Sequence, residues 1–256
     1  MSGTIDITQE GHVFILSFAH GNHNHVSLEL MSRIADSLES LDTNDDCRCI
    51  IIRSEGRVFC AGADIATDGQ SDLLPDGTAN PLYEHAVRMF AIKKPIIAAV
   101  QGAAVGAGSG IALACDFRVA GPKARFAANF VSLGFHAGFG ISYSLPYVIG
   151  QQNAGLMLMT GRRVKPQAAQ EMGLVDILSS EGTLMSDTMN LAQEIAQQAP
   201  LAVEATKKTL RGELAQRIKD QTDLEWSIQH RLTKTEDFKE GVLAVKERRP
   251  GKFVKG

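Results

Sequence analysis

The chain is poor in the residues that would mark several common classes of protein. Tryptophan occurs once in 256 residues, cysteine four times, and aromatic residues make up 6% of the whole. The net charge is only −3, and no basic run interleaves with aromatics, so neither nucleic acid nor a membrane surface is an expected partner. No apolar run approaches the roughly 20 residues that a membrane span needs. The start, "MSGTIDITQEGHVFILSF", lacks a basic leading region and alternates like a strand, so no signal peptide is expected and the location expected is cytoplasmic. Cys47, Cys49, Cys60 and Cys115 fit reduced thiols in such a location. The histidines of "HGNHNH" (His20, His23, His25) fall in a Gly/Asn turn with no partners at zinc-finger spacing, so no metal is expected.

What is present is a repeating pattern of elements. "IDITQ" and "HVFILSF" predict a hairpin around Glu10-Gly11. "SLELMSRIADSLESLD" places Leu28, Met31, Ile34, Leu38 and Leu41 on one helical face, with Ser27 as N-cap. "CRCIIIRS" predicts a buried strand, and "GRVFCAGADI" a turn leading into a short helix. "TDGQSDLLPDGTAN" has loop composition, and long loops within a domain often cover a site. "PLYEHAVRMFAIKK" predicts a helix with Pro81 in its first turn. Strands follow at "PIIAAVQG", "DFRVAG" and "ARFAA", with a helix at "AGSGIALAC" between the first two. Past Thr183 the pattern is almost wholly helical. These elements predict an α/β chain with a core over residues 1–195 and a helical region over residues 196–256.

The stretch "GAGSGIALACD" opens with four Gly or Ala residues out of five. A dinucleotide fingerprint requires G-x-G-x-x-G/A. Gly106 and Gly108 are followed by Ile111 where the third small residue belongs, and Gly108 and Gly110 by Leu113. No phosphate-loop lysine is present. Small side chains also allow a helix to pack closely on a sheet. They further expose the unpaired N–H groups of a helix's first turn, where a developing negative charge is stabilised. "CAGADI" is a second loop of the same kind, again following a strand.

With these two loops the chain resembles the crotonase, or enoyl-CoA hydratase/isomerase, superfamily along nearly its whole length. "GRVFCAGADI" is similar to that family's first oxyanion segment and "KKPIIAAVQGAAVGAGSGIALACDFRVAGPKARFA" to its second. "GLVD" and "TEDFKEGVLAVKERRPGKF" are similar to its C-terminal half. The resemblance implies a crotonase (ClpP-like) spiral of ββα units forming two roughly perpendicular sheets, with a C-terminal helical region. It implies an acyl-CoA thioester as substrate, with no cofactor apart from the coenzyme A of that substrate. Its carbonyl would be held by the amides of Ala63 and Ala107, the latter following Gly106. His23, Asn24, Ala61, Asp64 and Ile65 would bind the substrate, with Phe253 and Lys255 from the tail. A homotrimer or hexamer is implied, with Leu201, Ala205, Leu210 and Leu214 packing between subunits.

The family's hydratases carry two glutamates at positions occupied here by Gly110 and Phe130. Related isomerases and dehalogenases carry an aspartate where this chain has Gly138. Adding water across a double bond needs a positioned base and acid, so hydration is doubtful. His136, two residues before Gly138, is the candidate acid/base, since histidine titrates near neutrality; a loop histidine bonded to backbone is the alternative. Tyr83 belongs to the helix expected to cover the pocket. Phe130, Phe135 and Phe139 suggest an apolar wall. Three readings stay open: hydratase or isomerase, C–C bond or thioester cleavage, and an acyl-CoA-binding protein without catalysis.

Overall fold

In a computed structural model of the chain, the described residues are 3–65, 74, 75, 77 and 79–256. β1 (Thr4–Glu10) and β2 (Val13–Ala19) form the antiparallel hairpin. β3 (Cys49–Ser54), β4 (Ile96–Val100), β6 (Phe117–Ala120) and the two-residue β9 (Ile177–Leu178) extend it in parallel, in the order β1-β2-β3-β4-β6-β9. A second sheet holds β5 (Ala103–Val105), β7 (Arg125–Ala127) and β8 (Arg163–Val164). Helices cover both faces of the large sheet, so β3 is apolar throughout rather than alternating. Its side chains still divide by parity. Ile50 and Ile52 enter the main core, whereas Cys49 and Ile51 join Val13, Ile97 and Val119 on the opposite face.

Helix starts follow the local chemistry. Ser27 caps α1 (Leu28–Asp42) by accepting from the Leu30 amide. Asn80 caps α2 (Pro81–Phe90) through the Leu82 amide, with Pro81 at the first helical position, where its missing N–H costs nothing. α3 is Ala107–Ala114, and a 3₁₀ turn spans Phe130–Leu133. α4 (Ile141–Thr160) is kinked at Gly150, and α5 is Pro166–Glu171. The helical end consists of α6 (Leu184–Ala196), α7 (Pro200–Arg211), α8 (Leu214–Leu232) and α9 (Glu236–Lys246).

Three of these late helices lie on their own chain's core. A buried ion cluster fixes α7: Asp116 accepts from Lys207 Nζ at 2.7 Å and pairs with Arg211 Nε at 2.8 Å. Trp226 of α8 packs edge-on to Tyr83 of α2. Phe238 of α9 packs on Phe135. Leu214, expected between subunits, is instead buried at the start of α8 against its own core, whereas Leu201 and Leu210 are exposed. All four cysteines are buried and unbonded. Among the described residues no helix is long and apolar enough to cross a membrane, and no group of three His, Cys, Asp or Glu could hold a metal ion.

Candidate active site

The two small-residue loops meet because the chain leaves β3 and crosses the start of the second sheet. Cys60 bridges Ala104 in parallel register, and Ala63 bridges Val26. The approach leaves no room for side chains. A Cβ on Gly62 would lie 2.7 Å from Val105 O, and one on Gly108 would lie 2.2 Å from Cys60 O. Gly62 and Gly106 also have φ of 82° and 53°, values that glycine adopts without strain. The Gly106 amide donates to Ala127 O at 2.9 Å, which anchors the turn into α3. Ala107 is the first residue of that helix. Among the described residues, neither the Ala63 amide nor the Ala107 amide donates to a protein group. Ala107 further stands at the positive end of the α3 dipole.

Both amides border a cavity of about 300 Å³. Of the residues singled out in the sequence, Ala61, Ala63, Asp64, Ile65, Tyr83, Gly106, Ala107, Phe130 and Gly138 line it, together with Phe135 and Phe139. The helix expected to follow Ile65 lies outside the described residues, as do Asp68 and Asp72. A larger groove of about 580 Å³ runs under α7, away from both glycine loops.

Gly110, His136, His23 and Asn24 do not line the cavity, and Gly138 lines it with no room for a side chain. Gly110 does not line the cavity, because the Phe139 ring fills the space its side chain would take: a Cβ there would lie 2.3 Å from Phe139 Cδ1. At Gly138 a Cβ would lie 1.9 Å from the Tyr83 hydroxyl oxygen. Phe130 packs edge-on to Phe135 at 5.6 Å. Aromatic groups thus occupy or adjoin all three positions at which the resemblance led acids to be expected. His136 does not reach the cavity; its Nδ1 is 2.8 Å from Ala137 O, the backbone-bonded alternative. His23 lies outside the cavity. Asn24 is 1% exposed with φ 51°, and its carboxamide is spent on the His20 amide, Glu55 O and Val58 O. It shapes the turn and is not open to a ligand. Phe253 is half-exposed on the tail, and neither it nor Lys255 lines the cavity.

The structure adds residues that the sequence did not single out. His25 lines the cavity with Nδ1 3.1 Å from Gly62 O. Gln229 of α8 accepts from the Tyr83 hydroxyl and donates to His136 O at 2.7 Å. Burial, with Glu225 nearby, raises the Tyr83 phenol above its ordinary value and keeps it protonated. Glu225 is fully buried and accepts from the Gly140 and Ser142 amides at 2.7 and 2.9 Å, which ties α8 to the start of α4. Asn129, Arg163 and Val245 complete the wall.

The family model described as enoyl-CoA hydratase/isomerase matches residues 8–256. The chain is 34% identical over 233 residues to the 2,3-dehydroadipyl-CoA hydratase of Escherichia coli K12, covering 90% of each chain. It is 30% identical over 239 residues to the 1,2-epoxyphenylacetyl-CoA isomerase of the same organism, again covering 90% of each. The crystal structure of an enoyl-CoA hydratase/isomerase from Pseudoalteromonas atlantica T6c superimposes with a TM-score of 0.87 at 27% identity, over 98% of this chain and 99% of that one. The chain therefore belongs to the enoyl-CoA hydratase/isomerase family. It is an enzyme of that family, with the crotonase fold.

Proposed function

We propose that the cavity takes an acyl-CoA thioester with its carbonyl oxygen between the Ala63 and Ala107 amides. The observation that carries this reading is that two unpartnered N–H groups, from two separate loops, border one cavity. Donors fixed in this way stabilise the negative charge that grows on a thioester oxygen as an enolate forms, and one such donor is worth roughly 10² to 10³ in kcat.

The chemistry we infer is isomerase-type rearrangement, or cleavage of the acyl group, rather than hydration. Hydration needs an acid and a base placed on either side of the double bond. Gly110 and Phe130 supply neither, and Phe139 and Phe135 occupy the surrounding space. We further infer a homotrimer or hexamer, since α7 leaves Leu201 and Leu210 79% and 72% exposed.

Mass spectrometry of 2-enoyl, 3-enoyl, β-diketo and aryl thioesters after incubation with the protein tests the reaction class. Unchanged mass with altered retention supports isomerisation, and a released fragment supports cleavage. Gain of one water on an intact thioester would overturn the exclusion of hydration. Ala107→Pro tests the amide itself. Proline is tolerated at the first position of a helix yet lacks the N–H. The expected result is a folded protein with activity down by roughly 10² or more.

A further inference from the structure

Two polar side chains line the cavity beside the second sheet: Arg163 of β8 and Asn129, just past β7. Val105, Ala127 and Arg163 stand in register across β5, β7 and β8. Two inter-strand spacings thus separate the Arg163 backbone from that of Val105, about 10 Å. Val105 leads directly through Gly106 to the Ala107 amide. Arg163, which is exposed, is the one Lys or Arg among the described lining residues, and its guanidinium has no hydrogen bond or ion pair with another described residue. Asn129, two residues beyond Ala127, lines the same cavity, and its side chain caps no amide of the 3₁₀ turn that follows it. The neighbouring wall is apolar, made of Phe130, Leu133 and Val245. Asp64, the acid among the described lining residues, adjoins Ala63 at the other oxyanion loop.

A guanidinium with five donors in a planar fork, sharing a cavity with a carboxamide, is suited to a planar oxygen-bearing anion. We propose that Arg163 and Asn129 form a subsite for a carboxylate carried on the acyl chain, so that this enzyme prefers ω-carboxyacyl-CoA thioesters over plain ones. The inference rests on the acyl-CoA reading of the cavity. The apolar stretch between the amides and Arg163 would take the methylenes, and the sheet spacing sets the chain length that fits.

The test is calorimetric titration of the intact protein with saturated, unreactive thioesters. Each plain acyl-CoA is paired with its ω-carboxy counterpart along a ladder of chain lengths. A charge-assisted contact of this kind predicts at least a tenfold preference for the carboxylate at one length, fading on either side. Arg163→Gln should bring the ratio to about one, and Arg163→Lys should retain part of it. Asn129→Ala should lower the ratio without abolishing it. Equal affinity for both members of every pair would overturn the subsite while leaving the acyl-CoA reading intact. If Arg163→Gln weakened both members by one factor, the guanidinium would serve the CoA portion, and the proposal would be wrong. Binding of no thioester at all would remove the acyl-CoA reading and this inference with it.

Discussion

Gly110→Ala is the sharpest test of why position 110, where the resemblance led an acid to be expected, carries no side chain. In most helices replacing glycine with alanine stabilises by about 0.5–1 kcal/mol, because the unfolded chain loses freedom. Here the added methyl would sit 2.3 Å from Phe139 Cδ1 and 2.7 Å from Cγ. Phe139 cannot swing aside easily, being 1% exposed with φ 66°. Overpacking of this kind costs about 1–3 kcal/mol, so the sign of the ordinary effect should reverse. Phe139→Ala alone should cost about 3–5 kcal/mol by opening a cavity. In the double variant the Gly110 methyl enters the vacated space, so the two costs should fall short of additivity by about 1 kcal/mol or more. Denaturant unfolding of the four proteins at one protein concentration measures the cycle. A Gly110→Ala variant as stable as the parent, or strict additivity, would refute the account. The same geometry implies that Gly110→Glu cannot install a hydratase acid unless Phe139 is also made small. Phe139→Gly is the replacement best suited to that backbone.

Three further outcomes follow from buried groups. Burial raises the Glu225 carboxyl from 4.5 to about 7, so the native state holds its proton more tightly than the unfolded chain. Its contribution is then full below pH 4.5 and lost as pH rises to about 7. The stability of the parent minus that of Glu225→Gln should fall across that window by on the order of 3 kcal/mol, and a flat difference would contradict it. Burial also pushes the Cys47 thiol up to about 11 and those of Cys60 and Cys115 to about 12. A thiol reagent at mildly alkaline pH should leave all four cysteines unlabelled in the native protein and label them after unfolding; rapid native labelling would contradict their burial. Asp116→Ala strips Lys207 and Arg211 of their shared partner and should cost about 3–5 kcal/mol in denaturant unfolding. A loss below 1 kcal/mol would mean that water reaches the site.

Local chemistry made most of the framework legible. The hairpin, α1 with its Ser27 cap, and α2 with Pro81 at its start follow from side-chain periodicity and from caps acting within a few residues. β8 and β9 escaped because two residues carry no periodicity, and only their pairing with β7 and β6 makes them strands. The place of Leu214 also escaped. An amphipathic face reports that it will be buried but not against what, and Leu214 was accordingly assigned to a neighbouring subunit when it packs at home.

The candidate site divides along the same line. The two loops that bring Ala63 and Ala107 to one cavity were visible because a close backbone approach demands small residues, and that demand is written as consecutive glycines and alanines. Gln229 was invisible because its use depends on contact with Tyr83 across 146 positions. That contact changes how the glycines at the expected acid positions are read. Glycine at 110 and 138 looks in the sequence like deletion of a side chain, leaving a hole that water could fill. In the fold, Phe139 and the Tyr83 hydroxyl stand where those side chains would begin. A site that had merely lost its acids would keep the space for them. This one uses that space for aromatic packing and for a bonded Tyr83–Gln229 pair.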